Sequence, residues 1–583
     1  MCRPNGSNLV YLAHSENSEQ GIPAQSYSDH VIGVFSLAKK NCAGFSCSLP
    51  TIATELENIV MPAAVYHDLG KLAEENQSVL SNNEKRYSLP LDHSDAGSAL
   101  FSKYGEATPS EQLVAWLIHS HHKGLLNFYS EESQRGSMIF RSEDNRSVSD
   151  TEKYLQKYIN IHSSLLNCKI YQNRIRESEL EGIEFSVFLR QALSCLVDAD
   201  HTDTAINYDK YLIGMEAPSL RAEERLNALD RYVNSLNCGN LNESKRDKLR
   251  EEMYLMSRNV NCIKSIYWCD SPVGTGKTTA IMANLLKMAI IKNLKRIFVI
   301  LPFTNIINQS VDVYRKALVL DGENPETVVA AIHHRAEYDG IATRQLSTLW
   351  NAPIIVTTAA QFFETMAAAK PSALRKLHNL PNSGVIIDES HTALPIKLWP
   401  LAWFWIKEYA KNWHCHFVLA SGSMNKFWEL KEFDEEQPDI PAMLPKEFRS
   451  KLNIFEKERI TFLRKLGKMN EDELCDWLLT LQGPRLVILN TVQSAAVVAK
   501  KMAGLVGRKE VEHLSTALTP LDREIILEKI RKRLENKNDT NWTLIATSCV
   551  EAGVDFSFRT GVREIASLVS LLQIAGRVRR NEE

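Results

Sequence analysis

The chain has 583 residues, of which 44% are hydrophobic and 24% charged, and its formal net charge is −3. Such a length predicts several domains and such a mix an ordinary globular protein, while the near-neutral balance excludes a globally basic nucleic-acid binder and leaves a local basic channel as the route for a strand. The 11 cysteines are scattered without a C-x-x-C pair, which excludes a disulfide frame or a zinc ribbon and predicts reduced thiols in a cytoplasmic protein. The N-terminus, Met1-Cys-Arg-Pro-Asn-Gly6, lacks the apolar core of a signal peptide. No apolar run reaches the ~18 residues that a membrane span needs, so no membrane partner is expected.

Residues 1–205 show apolar spacing of three and four between short polar loops, which predicts a mostly helical domain. Histidines and carboxylates recur along it: His30, then His67-Asp68-Leu-Gly-Lys71, His93, His121-His122 before Lys123-Gly124, and Asp198-Ala-Asp200-His-Thr-Asp203. The adjacent pair His67-Asp68 is the sharpest signal. On a helix the two side chains diverge by about 100°, so each can face a different ion, or one can bridge two. Imidazole nitrogen and carboxylate oxygen suit Mn, Fe, Co, Ni or Zn. Two such ions about 3.5–4 Å apart can activate a water and stabilise the leaving oxygen in phosphodiester hydrolysis. Lys71, one helical turn after Asp68, is placed to meet the scissile phosphate. His14 and His119 read as satisfied structural residues.

This pattern resembles the HD phosphohydrolase superfamily. The adjacent His121-His122 before a glycine is similar to the variant found in CRISPR-associated nuclease-helicases of type I systems, where the HD domain is a single-strand DNA nuclease with one or two metals. The resemblance implies a first metal (Mn²⁺, Ni²⁺, Co²⁺ or Fe²⁺) held by His30, His67, Asp68 and a late aspartate. It implies a second held by Asp68 as a bridge with His93, His121 and His122. For the late aspartate, Asp200 fits an Asp-x-x-Asp pattern best, and Asp198 is the alternative.

Residues 206–262 are rich in Glu, Arg, Lys and Asn and keep helical apolar spacing at Leu226, Leu229, Tyr232 and Leu236, so they read as a helical connector. The run Ser244-Lys-Arg-Asp-Lys-Leu-Arg250 reads as a solvated face, or as lining a nucleic-acid path. A buried strand, Ser265-Ile-Tyr-Trp-Cys269, then leads into Asp270-Ser-Pro-Val-Gly-Thr-Gly-Lys-Thr-Thr279, with helical spacing after it. Strand, glycine turn and helix N-terminus in that order form a phosphate cradle. Gly274, Thr275, Gly276 and Thr279 line it, Lys277 reaches the β- and γ-phosphates of ATP, and the Thr278 hydroxyl sits on Mg²⁺. Ser271 stands where the first glycine of that motif is usual.

Apolar runs 296–301, 353–358, 384–387 and 416–420 follow, each ending in polar residues, as expected for a parallel sheet with function at its carboxyl edge. Within these segments, Leu398–Ile406 reads as a packed helix despite Pro400, and His414-Cys415-His416 as a strand edge. Asp388 can hold Mg²⁺ through water, Glu389 can polarise the attacking water, and His391 can relay γ-phosphate loss toward Ser421 and Ser423. Asp388-Glu-Ser-His391 resembles the Asp-Glu-x-His of superfamily 2 helicases, with Ser421-Gly-Ser423 in place of the usual Ser-Ala-Thr. Leu301–Ile307, His333-His334 and Ile355–Glu364 look like the CRISPR-associated branch, which implies that Thr304, Thr357 and Gln361 meet strand phosphates. A second α/β unit begins at Arg485. It carries Asp555 and, on a helix, Gln573-Ile-Ala-Gly-Arg-Val-Arg-Arg580. Asp555 and Gln573 are nucleotide-binding candidates, and Arg577 and Arg580 stand where that superfamily places its arginine fingers.

The expected fold is multidomain: an all-α HD domain (1–205), a connector (206–262), and two α/β RecA-like helicase lobes (263–450 and 451–583), the second truncated. The expected activity is a 3′-to-5′ ATP-driven translocase on single-stranded DNA coupled to a metal nuclease, with an RNA-guided CRISPR surveillance complex as partner. Alternatives are an HD domain that hydrolyses small phosphoesters, one that is only structural, or a non-enzymatic binding fragment.

Overall fold

The structure is a computed structural model describing residues 11–17, 21–81, 89–102, 107–125, 127, 148–166, 175–177, 180–211, 217–237, 244–260, 263–272, 274–333, 341–422, 424–465, 467–551 and 556–579. A helical region comes first. Its principal helices are α1 (Tyr27–Ala43), α2 (Pro50–Tyr66), α3 (His93–Ser102), α4 (Pro109–Lys123) and α5 (Phe185–Asn207). Thr108 and Glu111 close a capping box at the start of α4, and Pro50 opens α2 where its missing N–H costs nothing.

Two helices of the stretch read as a connector, α6 (Ala222–Asn237) and α7 (Lys245–Asn259), lie within the next unit. Leu226, Leu229, Leu249 and Met253 share a core with Ile281, Leu285 and Leu286 of α8 (Lys277–Lys292). Their apolar stripes are thus buried against the phosphate-loop helix. The 244–250 run is correspondingly not a simple solvated face: Arg246 and Leu249 are buried, and Arg250 Nε donates to the Gly274 carbonyl at 2.8 Å.

The first lobe is a six-stranded sheet of β1 (Ile266–Asp270), β2 (Arg296–Leu301), β3 (Val329–Ile332), β4 (Ile354–Thr358), β5 (Ser383–Ile387) and β6 (His416–Ser421). All pairings are parallel, in the order β1-β6-β5-β2-β4-β3. Every residue of β5 and β6 is buried, which is why these strands read as continuous apolar runs. Register places Asp270 beside Ser421, with Asp388 just past Ile387, so the polar residues gather at one edge. Helix α9 (Ala359–Met366) follows β4, and α10 (Trp399–Asn412) starts with Pro400 in its first turn, so that proline opens the helix. A helix α11 (Lys446–Arg459) leads to the second lobe, a parallel sheet of β7 (Arg485–Ile488), β8 (Val511–Leu514), β9 (Thr543–Ala546) and β10 (Thr560–Arg563) in the order β8-β9-β7-β10, followed by α12 (Leu568–Ala575).

The helical region and the first lobe share one core. Phe188, Leu193 and Leu196 of α5 belong to the same apolar cluster as Leu374, Leu377, Trp403 and Trp413. Among the described residues, no helix is long and apolar enough to cross a membrane.

Candidate functional site: a metal centre and a nucleotide crevice

His67 and Asp68 do not sit side by side on a helix. Helix α2 ends at Tyr66, His67 caps it, and Asp68 (φ −106°, ψ 15°) turns the chain into a 3₁₀ segment, Leu69–Leu72. The pair diverges because the backbone changes course there. Gly70 is required at this bend: a Cβ on it would lie 2.6 Å from the His93 carbonyl. The 3₁₀ turn can therefore press against the start of α3, which brings His93 to Asp68.

Two groups of donor atoms result, each within 4.8 Å: His30, His67 and Asp200, and Asp68, His93, His121 and His122. Asp68 lies between them. Its Oδ2 is 3.1 Å from His30 Nε2 and 3.5 Å from His67 Nε2, and its Oδ1 is 3.5 Å from His93 Nε2 and 3.9 Å from His121 Nε2. Asp200 Oδ1 is 3.5 Å from His30 Nε2 and 3.8 Å from His67 Nε2. The rings are aimed from behind. His67 Nδ1 meets the Ala64 carbonyl at 2.9 Å, His121 Nδ1 the Ile118 carbonyl at 2.5 Å, and His30 Nδ1 the Asp203 carboxylate at 2.7 Å. A nitrogen that donates backward leaves Nε2 as a lone pair facing inward, the orientation a metal-bound imidazole takes.

Asp198, the alternative ligand, points elsewhere: Arg375 Nη2 bonds its Oδ1 at 3.1 Å. Lys71 Nζ rests 2.6 Å from Asp68 Oδ2. His14 Nε2 bonds Thr204 Oγ1 at 3.3 Å, its ring meets His30 edge-on at 4.9 Å, and His119 lies beside Asp95. Neither joins the donor groups.

The donor set fits divalent metal. His93 Nε2 and His121 Nε2 are buried without a hydrogen-bond partner, an arrangement that costs free energy unless something accepts their lone pairs. Burial, as the main cause, lowers His67 and His121 below the usual imidazole range and His93 to about 4, which keeps them neutral as ligands must be. His30 differs: burial opposes its charge, but the bonds to Asp203 and Asp68 outweigh it and raise the group to about 9, so a metal taken up on its Nε2 would displace the proton held there against Asp68.

Sequence reading gave Asp203 no role, although it lies one turn after Asp200. Gln25 Nε2 bonds it at 2.8 Å. A Cβ on Gly33, one turn after His30, would fall 1.8 Å from Asp203 Oδ1. That glycine makes the space in which the carboxylate lies.

In the crevice, Gly274 (φ 88°) and Gly276 (φ 80°) take left-handed turns before α8. Lys277 Nζ lies 2.9 Å from Asp388 Oδ1 and 3.1 Å from Glu389 Oε1. Burial works against its charge, yet these two carboxylates hold it above the ordinary lysine range. Thr279 Oγ1 bonds the Gly276 carbonyl at 3.0 Å, so it closes the turn, and Thr278 beside it is half-buried. Ser271 Oγ pairs with Thr275 Oγ1, which in turn bonds the Pro272 carbonyl at 2.8 Å; the non-glycine position is thereby used to brace the loop. His391 Nδ1 meets Ser421 Oγ at 2.7 Å, and its Nε2 meets Gln573 of the second lobe at 3.4 Å.

Other expected contacts are arranged differently. Thr357 is fully buried and bonds the Ile332 carbonyl and Gln361, which is half-buried. Thr304 opens the helix Thr304–Leu318. Helix α12 ends at Ala575, before Arg577, so Arg577 does not share its face with Gln573. Val578 instead bridges Phe558, and Arg577 Nη2 donates to the Glu551 carbonyl at 3.1 Å. Arg459, at the end of α11, holds that turn by donating to the Ala575 and Val578 carbonyls, a role with no sequence signal. His334, Ser423, Asp555 and Arg580 lie outside the described residues.

Three family models match: "HD domain" over residues 27–150, "DEAD/DEAH box helicase" over 253–425, and "CRISPR-associated nuclease/helicase Cas3, C-terminal" over 482–583. The CRISPR-associated nuclease/helicase Cas3 of Haloferax volcanii is 23% identical over 425 residues, an alignment that takes in 54% of this chain and 44% of that protein. The chain thus spans less than half of that relative's length. In fold it is similar to T. fusca Cas3 with AMPPNP (TM-score 0.66, 17% identity, covering 99% of this chain and 73% of that one). It is also similar to a chain of a pre-nicking CRISPR RNA-guided surveillance complex (TM-score 0.59, 17% identity, 98% and 71%). With an HD domain, a DEAD/DEAH helicase domain and a Cas3-type C-terminal domain in one polypeptide, the chain belongs to the CRISPR-associated nuclease/helicase family.

Proposed function

We propose that this protein is an ATP-driven translocase, moving 3′ to 5′ on single-stranded DNA, joined to a metal-dependent single-strand nuclease, and that an RNA-guided CRISPR surveillance complex delivers its strand. The observation that carries the nuclease half is the pair of inward-facing donor groups that meet on Asp68. His30, His67, Asp68 and Asp200 would hold one divalent ion, and Asp68, His93, His121 and His122 a second. When bound, the ions lower the pKa of a water and neutralise charge on a phosphodiester. The chain itself orients the rings, bridges the two groups with one carboxylate, and offers Lys71 as a cation beside the bridge.

In the crevice, Lys277 would release Asp388 and Glu389 to take the phosphates of ATP. Asp388 and Thr278 would then hold Mg²⁺, and Glu389 would orient the attacking water. Gln573 and His391 report between the lobes, and Arg577 and Arg580 are assigned to transition-state charge. Arg577 must leave the Glu551 carbonyl to do so.

The test is cleavage of circular single-stranded DNA with Mn²⁺ or Ni²⁺ and no ATP, beside ATP hydrolysis on single strands. Lys277→Ala should abolish hydrolysis and spare cleavage of naked strands, and Asp68→Ala should do the reverse. Release of phosphate from free nucleotides with the strand left intact would assign the helical site to small phosphoesters instead.

A further inference from the structure

Helix α5 has two working faces. Gln191, Ser194, Asp198 and Thr202 repeat at three and four residues and so share one; Asp200 and Asp203 lie on the other, toward the rings. The first face meets a strap of the first lobe, residues 368–378, between α9 and β5. Gln191 Nε2 donates to the Leu377 carbonyl at 3.3 Å, and Ser194 Oγ donates to the Leu374 carbonyl at 2.6 Å while accepting from the His378 N–H at 2.9 Å. Arg375 Nη2 reaches Asp198 Oδ1 at 3.1 Å and Thr202 Oγ1 at 3.2 Å, the residues two before and two after Asp200. The strap also touches the other ligand-bearing helix. The Ala369 carbonyl accepts from the N–H of Leu125, just past α4 and its His121-His122, at 2.9 Å.

Apolar packing alone would leave α5 free to slide or rotate by small amounts, since hydrophobic contact is non-directional. These bonds fix both its register and its rotation. Sliding by one residue moves a helical side chain about 1.5 Å and turns it by about 100°, enough to take Asp200 out of reach of His30 and His67. Asp198 is only 7% exposed; Arg375 gives its carboxylate a charged partner, beside Thr202 Oγ1 at 3.4 Å and His378 Nε2 at 3.8 Å.

We propose that the strap is the device through which the helicase lobe positions the metal site, with Arg375 as the positioning residue that locks Asp200 in register. This rests on the metal reading of that site given above. The experiment is Mn²⁺ titration by calorimetry on the full chain, for the wild type, Asp200→Ala, Arg375→Ala and the pair Arg375→Ala/Asp198→Ala, each checked for ATP hydrolysis. The expected result is an Mn²⁺ affinity about 10-fold or more weaker in Arg375→Ala, with ATP hydrolysis intact. The double variant lacks the stranded carboxylate, so it should regain thermal stability but not Mn²⁺ affinity, and it carries the test should Arg375→Ala fail to fold. A merely structural contact predicts that affinity returns together with stability, and that result, or wild-type affinity in Arg375→Ala, overturns the proposal. If the wild type and Asp200→Ala bind Mn²⁺ alike, the metal reading itself falls and takes the proposal with it.

Discussion

The helical domain gathers its seven donor residues from five helices or their ends, around one buried carboxylate. The nucleotide crevice takes Lys277, Asp388, Glu389 and His391 from one lobe and Gln573 from another, across a 3.4 Å contact. The first site is set in advance, because three of its five rings, His67, His121 and His30, are pinned from behind by Ala64, Ile118 and Asp203 and cannot turn without losing a buried bond. The second is completed by motion, because Lys277 is neutralised by the very carboxylates that a nucleotide would need, and Arg577 is held inside its own lobe. Substitutions in the first should therefore change ligand affinity in place. Those in the second should change how the lobes respond to nucleotide.

The widest gap between the two sites should appear in Asp68→Ala. One carboxylate serves both donor groups, so its loss removes several kcal/mol of charge stabilisation, on the order of 10³-fold in strand cleavage, with ATP hydrolysis preserved. Cleavage assays with Mn²⁺ measure it, and near-normal cutting would mean that the groups do not act as a pair. Lys277→Ala comes next, with a loss of about 10²–10³-fold in ATP hydrolysis and intact cleavage of naked strands. A smaller effect isolates the pinning. Asp203→Ala should weaken Mn²⁺ binding by about 10–100-fold, and Gly33→Ala should do the same although it removes no polar atom, because its new methyl would occupy the carboxylate's place. Calorimetry that finds Gly33→Ala at wild-type affinity would show that His30 is held by something other than Asp203.

The parts legible in the sequence are those whose chemistry is local. Strand runs such as 296–301 and 383–387 announce themselves because both faces are covered. The glycine turn and His-Asp-x-Gly-Lys carry their reasons within a few residues. What escaped depends on distant packing. Asp198 stayed open as the alternative to Asp200 because Arg375, which bonds it, is 177 residues away in the chain. Asp203 and Gly33 have meaning only because α5 lies against α1. Thr357 was read as a strand contact, but it is buried and bonds the Ile332 carbonyl, from a strand 25 residues away, and Gln361. Helix periodicity carried past Tyr66, since nothing local in His67-Asp68 marks the backbone turn that tertiary contact imposes there, and past Ala575, although Gly576 caps that helix.

The smallest effect concerns the one departure from the phosphate-loop pattern, and it tests whether the crevice tolerates change where the metal site does not. Ser271 is fully buried and its hydroxyl pairs with Thr275. Ser271→Gly removes that bond, but Thr275 keeps the Pro272 carbonyl, so no donor is stranded. The loss should stay near the ordinary net value of a hydrogen bond, about 0.5–1.5 kcal/mol, a fall of roughly 2–4 °C per kcal/mol in the melting of a lobe this size. ATP hydrolysis should stay within about threefold of wild type, which is under 1 kcal/mol. Ser271→Ala should match it in hydrolysis while keeping the backbone stiffer and one methyl buried, so it should melt higher than Ser271→Gly. A large drop in hydrolysis in both would place the hydroxyl on the nucleotide rather than on the loop, and the crevice would then be as finely pre-set as the metal centre.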